Sequence, residues 1–269
     1  MEGEALGLSA QERGLLDSLT ANEVTIIRAE NIVSALGVTK ASANMILSRL
    51  AKKAWLQRMR RGEYTLVPLG SPSAEANGHD AWILACDLFK PCFISGWSAS
   101  EHWSFTEQIF NAVSLVTSHR QKHAHQNIAG TEFRVRTLPP EKIFGTKKIW
   151  IGSHSVLVAD PHRLIVDILD APDFGGGGRH VVDVVRAYWN SNLSEPQKLL
   201  EYASKIGRGT IFKRLGFLAE KYGKVNPEWL VQCRSKISAG VSKLDPDGTD
   251  KGPIETKWNL RINLPLKDL

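Results

Sequence analysis

The chain has 269 residues, 42% hydrophobic and 23% charged. This is ordinary globular usage, which excludes a disordered, collagen-like or disulfide-scaffold protein, and the length makes two domains with separate cores the default. The formal charge of +6 favours a polyanionic partner, while an acidic opening (Met1-Glu2-Gly3-Glu4) and the lack of a bilayer-length apolar run lead us to expect a soluble cytoplasmic chain without membrane contact.

Ser9 stands three residues before Glu12 and ahead of Leu15, Leu16 and Leu19, a pattern that predicts a capping box opening a first helix. A second helix is expected at about 28–36, with Ile32, Val33 and Leu36 turned inward and Gly37 ending it in left-handed geometry. Thr39 can cap a third helix running to about 53, in which Ala43, Ile46 or Leu47, and Leu50 recur on one face. The runs 55–61 and 64–67 read as two short strands joined through Gly62. Helix, glycine turn, capped helix and hairpin in this order predict a winged helix-turn-helix over 1–67, followed by a Pro-, Gly- and Ser-rich linker at 68–79.

From 80 to 242 the pattern is mixed. A helix is expected at 80–88 and another at 97–103, with strands at 92–95, 112–117, 132–137, 148–151 and 155–158. Later helices are expected from Asp160 and at 180–189, 194–206, 210–222 and 227–237. The tail 243–269 holds one further strand candidate at 256–264. Strands early and helices late point to an α+β domain rather than a doubly wound sheet.

The basic residues Lys40, Arg49, Lys52, Lys53, Arg58, Arg60 and Arg61 fall in one segment that contains no Asp or Glu. On the third helix, Thr39, Lys40, Ser42, Asn44 and Ser48 have the chemistry of base reading, since Asn pairs with adenine in bidentate fashion and Ser is permissive. Arg49, Lys52, Lys53 and the wing residues Arg58, Arg60 and Arg61 are expected to neutralise phosphates and fix register. Double-stranded DNA is the expected partner, with no enzymatic activity and no cofactor. Farther on, Arg208, Lys213 and Arg214 suggest an exposed basic surface, either merely solvated or used for cooperative DNA binding or antitoxin function.

Other constellations carry less. Cys86, Cys92 and Cys233 lack the pairing of a zinc ribbon or a disulfide framework and suit a reducing compartment. His119, His123 and His125 are spaced loosely like metal ligands, but Arg120 and Lys122 beside them favour a solvated basic loop, so no metal is expected. Gly175 to Gly178 lack the Lys-Ser/Thr of a phosphate loop and read as a helix connection. Asp160, Asp167, Asp170 and Asp173 could serve a metal-dependent nuclease, but helix capping and surface exposure explain them more simply. Trp97, Trp103, Trp150, Trp189 and Trp229 are expected in cores or interfaces rather than as a stacking platform.

Over roughly 10–235 the chain resembles the AbiE-type antitoxin family, the regulator half of type IV toxin–antitoxin and abortive-infection operons. In the first domain the resemblance rests on the helix-turn-helix and Arg61-Gly62-Glu63-Tyr64. In the second it rests on an ordered series. This comprises Ile94-Ser95-Gly96-Trp97-Ser98-Ala99 with Thr106-Glu107-Gln108, Val116-Thr117-Ser118, and Val158-Ala159-Asp160-Pro161 leading to Asp167-Ile168-Leu169-Asp170-Ala171-Pro172. The glycine run and Arg214-Leu215-Gly216-Phe217-Leu218 complete it. Arg163 and Val166 depart from the family's more polar helix, and the tail beyond about 242 has no counterpart. The resemblance implies a repressor of its own operon that binds promoter repeats, with cooperative binding of two copies left open. It also implies an antitoxin that neutralises a neighbouring nucleotidyltransferase toxin without requiring a stable complex. Two other classes stay open on the residues alone: a nuclease-like enzyme delivered by a winged helix, and an interaction module with an incidental basic face.

Overall fold

The computed structural model describes residues 7–67 and 79–264, so all but the last residue of the expected linker lies outside the described residues. The chain is mixed α and β and divides into two units. The first takes in residues 1–90 together with 125–133; the second takes in 91–124 together with 134–269.

In the first unit, local sequence signals set each helix end. Helix α1 (Ala10–Ala21) opens on the capping box, with the Ser9 hydroxyl accepting from the Glu12 N–H at 3.2 Å and Glu12 accepting from the Ser9 N–H at 2.9 Å. Helix α2 (Ala29–Leu36) is capped by Asn31, whose Oδ1 accepts from the Arg28 N–H, and stops at Gly37, which sits at φ 65°. Thr39 Oγ1 then accepts from the Ser42 N–H and starts α3 (Lys40–Lys52). Strands β1 (Leu56–Arg60) and β2 (Glu63–Leu66) form an antiparallel hairpin. Ile27, just before α2, exchanges both backbone hydrogen bonds with Tyr64 and so adds a bridge to that hairpin.

One apolar cluster joins these elements: Leu15, Leu16 and Leu19 from α1, Ile32 from α2, Leu47 and Leu50 from α3, and Ile27, Leu56 and Tyr64 from the sheet. Helix α4 (His79–Phe89), expected in the second domain, groups with the first unit. Arg60 of the hairpin meets it: its guanidinium sits 4.4 Å over the Phe89 ring and donates to the Leu88 carbonyl and to Gln126.

The second unit follows with β3 (Cys92–Ile94), α5 (Gly96–His102) and β4 (Ala112–Thr117). Strand β5 (His125–Ile128), which is counted with the first unit, precedes β6 (Thr131–Thr137). Strands β7 (Thr146–Ile151) and β8 (His154–Ala159) complete the main sheet, in which the order runs β6-β4-β3-β8-β7. Strand β3 is antiparallel to β4 and parallel to β8, and β7–β8 is an antiparallel hairpin. Trp150 on β7 stands 68% exposed and so is not a core residue, whereas Trp189 and Trp229 are buried.

Helices α6 (Pro161–Asp170), α7 (Gly178–Asn190), α8 (Pro196–Ile206), α9 (Gly209–Tyr222) and α10 (Pro227–Arg234) come next. Asp160 caps α6 as expected, accepting from the Arg163 N–H at 2.9 Å. The expected surface position of the other aspartates is corrected for Asp167, which is 1% exposed, and for Asp170, whose side chain is 3% exposed. Every residue of α6 from Pro161 to Leu169 is buried, and Arg163 and Asp167 meet that burial by pairing with each other. Asp167 accepts from Arg163 Nε at 3.0 Å and from the Ser95 hydroxyl at 2.8 Å, with Arg136 3.7 Å away.

Residues 243–264 are not a loose tail. Strands β9 (Ser242–Lys243), β10 (Ile254–Glu255) and β11 (Leu260–Arg261) form a small sheet with β11 in the middle. Trp258, fully buried, packs where Gly216 of α9 has no side chain; a Cβ there would come within 2.1 Å of the indole. Among the described residues, no helix is long and apolar enough to cross a membrane.

Candidate nucleic-acid interface

Helix α3 buries Ala43, Leu47 and Leu50, and the helical period then turns Ala41, Asn44, Met45, Ser48 and Lys52 to solvent. Met45 is 67% exposed. Arg49, one turn beyond Met45 and with a side chain 57% exposed, borders this face and Lys52 continues it; the stretch from Ala41 to Ser48 is uncharged. Met45 was absent from the residues expected to touch DNA, although its offset from Ala43 and Leu47 marks it as an apolar residue on the wrong side of the helix for the core.

The surrounding cations divide into two sets. Lys40 pairs with Glu30 at 2.7 Å, and Arg28 pairs with Glu63 at 2.7 Å. Arg49 and Lys53 share the single carboxylate of Glu12, at 2.9 and 2.8 Å. Arg60, half-buried against Phe89, has its pKa lowered by that burial and is taken up by its contacts with Leu88 and Gln126. Lys52, Arg58 and Arg61 are exposed and have no acidic partner among the described residues.

The structure thus brings Asn44, Ser48 and Lys52 onto one open face and leaves Arg58 and Arg61 exposed on the hairpin. It commits Lys53 and Arg60 to the unit's own packing. Thr39 and Ser42 act in the start of α3: Ser42 is half-buried, and its hydroxyl lies 3.0 Å from Thr39 Oγ1.

Glu12 is the hinge of this electrostatic arrangement. The hydrogen bond from Lys53, then the Ser9 N–H, then Arg49 hold its carboxyl down at about 2. A carboxylate whose pKa falls on folding contributes stability that is present above its unfolded value near 4.5 and is lost as pH drops towards 2. We expect the wild type to lose more stability than Glu12→Gln between these pH values in urea melts; parallel losses would remove Glu12 from this role.

The expected basic surface of the second unit is corrected. Arg208 is exposed and pairs with Asp170, but Lys213 and Arg214 are 0% and 4% exposed. The Lys213 ammonium donates to the Gly240 carbonyl and the Ser242 hydroxyl. Arg214 donates to the Leu169 carbonyl at 2.6 Å and, through Nε and Nη2, to the Lys243 carbonyl; burial lowers its pKa to about 10. These two cations tie the 240–243 segment to α9 and α6. His119, His123 and His125 are exposed, and the described residues contain no group of three or more His, Cys, Asp or Glu placed to hold a metal ion.

The first unit holds three helices closed by a β-hairpin together with α4 and β5, and the second is a mixed sheet with a predominantly helical second half. No family model and no curated protein matches the chain. Among solved structures it is similar to the crystal structure of the RV2827C protein from Mycobacterium tuberculosis. The TM-score is 0.65 at 15% identity, covering 96% of this chain and 93% of that one. At that identity the likeness shows the fold alone.

Proposed function

We propose that this chain is a DNA-binding transcriptional regulator in which residues 10–67 are a winged helix-turn-helix. Helices α2 and α3 supply the helix-turn-helix and β1–β2 the wing. The observation that carries this reading is the open face of α3: it is free of acidic groups and lies opposite the core, and the next element carries the exposed cations Arg58 and Arg61. An α-helix of this kind fits the major groove while flanking cations neutralise phosphates.

Replacing both wing arginines by alanine should weaken binding to cognate and random duplexes alike, because phosphate contacts carry no sequence information. Each phosphate contact contributes about −0.9 to the slope of log K against log salt, so the double variant should be shallower by about 2. Fluorescence anisotropy across a salt series measures this, and an unchanged slope would remove the hairpin from the interface.

The larger role is an autorepressor and antitoxin of a type IV toxin–antitoxin operon, acting against a neighbouring nucleotidyltransferase toxin. Its support is the resemblance of the ordered motif series to the AbiE-type family, and the protein's compartment in this reading is the cytoplasm. Footprinting on DNA upstream of the reading frame tests the repressor half, and survival on co-expression with the neighbouring gene tests the antitoxin half. The nuclease-like alternative gains nothing from its aspartates, because Asp160 caps α6, Asp167 pairs with Arg163, and Asp170 pairs with Arg136 and Arg208.

A further inference from the structure

Resting on the DNA-binding reading, we infer that the centre of α3 reads A·T base pairs, with Met45 seated on thymine methyl groups and Asn44 on adenine. The outward face between residues 41 and 48 presents Ala41, Asn44, Met45 and Ser48. At 1.5 Å per residue that stretch is about 10 Å long, roughly three base-pair steps.

Each base pair asks for a different chemistry in the major groove. Guanine is read by Arg or Lys on O6 and N7, and cytosine by Asp or Glu accepting from N4. Neither type occupies this stretch of the face. Lys40 before it and Arg49 after it are exposed cations paired with Glu30 and Glu12, and they stand at the two ends of the stretch rather than beside Asn44 and Met45 at its centre. Lys52 lies a further turn along the helix, where a phosphate is the natural contact.

What remains suits adenine and thymine. Asn offers a donor and an acceptor that match adenine N7 and N6 together, whereas an apolar side chain has a partner only in the C5-methyl of thymine. Met45 is 67% exposed on a face otherwise small or polar. An exposed thioether in water gains nothing there, but in the groove it covers a methyl group with a flexible, polarizable chain. The exposed cations Lys52, Arg58 and Arg61 supply the charge complementarity that commits this face to a polyanion.

The test uses the full chain and the tightest duplex recovered from a randomised pool, read by fluorescence anisotropy. The recovered site should contain adjacent A·T pairs. Replacing its thymines by uracil removes only the C5-methyl, and this should weaken wild-type binding about three- to fivefold. That loss should vanish for Met45→Gln. Asn44→Ala should relax the preference for adenine about tenfold. Because both residues are exposed, thermal melts of the variants should overlay the wild type. A recovered site with G·C at these steps, or the same uracil penalty in wild type and Met45→Gln, overturns the inference while leaving DNA binding intact. Absence of saturable binding to any duplex overturns the DNA-binding reading itself, and this one with it.

Discussion

Asp167→Ala is expected to destabilise the second unit by about 3–5 kcal/mol, the cost of leaving a buried charge without its partner. Arg163 is 0% exposed, and its guanidinium lies 5.0 Å from the Phe93 centroid and 4.6 Å from that of Phe144, so water cannot replace the lost carboxylate. The Ser95 hydroxyl would lose its acceptor as well. Asp167→Asn, which keeps an acceptor for Ser95, should fall between wild type and alanine. Replacing Arg163 and Asp167 together by apolar residues should cost less than the sum of the single changes, since no orphaned charge remains between them. Urea unfolding followed by tryptophan fluorescence measures all four; an alanine variant within 1 kcal/mol of wild type would show that the network contributes little.

The second large effect is expected at Arg214. A solvated surface arginine typically tolerates alanine within about 0.5 kcal/mol. Arg214→Ala instead strips donors from the carbonyls of Leu169 and Lys243, and buried acceptors left unpaired cost about 1–3 kcal/mol each. A total of about 3 kcal/mol is therefore expected, together with faster proteolysis near 240–250, where the pinned segment would open. Arg208→Ala, on an exposed side chain, serves as the control and should be nearly silent. Equal, small effects at both positions would restore the surface reading of this helix.

These two sites show where the sequence was and was not legible. The start of α1, the Gly37 stop and the Thr39 cap are decided by residues three or four apart, and such signals can be read without knowing the fold. The mixed α+β pattern was readable for the same reason, from apolar periodicity within single elements. Strand β5 is not legible in the sequence because His125-Gln126-Asn127-Ile128 has little β propensity of its own.

Side-chain partnerships were the larger loss. Glu12 meets Arg49 and Lys53, which are 37 and 41 residues away. Arg214 meets Lys243 at a separation of 29 residues, and Arg60 meets Gln126 at 66. Nothing local distinguishes an arginine that will be buried on carbonyls from one that will meet solvent. The contiguous basic run therefore does not tell which of its cations pair with Glu12, Glu30 or Gln126 and which stay open, and an exposed apolar residue such as Met45 carries no charge signal at all.

Duplex DNA binding through α3 and the hairpin is the function we propose for the first unit. Its most direct test is a titration of the full chain with a labelled duplex taken from immediately upstream of its own reading frame, against a scrambled duplex of equal length and composition. Binding to the upstream duplex should be saturable and tighter than to the scrambled one. It should weaken steeply with salt, with a slope of about −3 to −5 if three to five phosphates are engaged per chain. No saturable binding to either duplex at low salt would contradict the account.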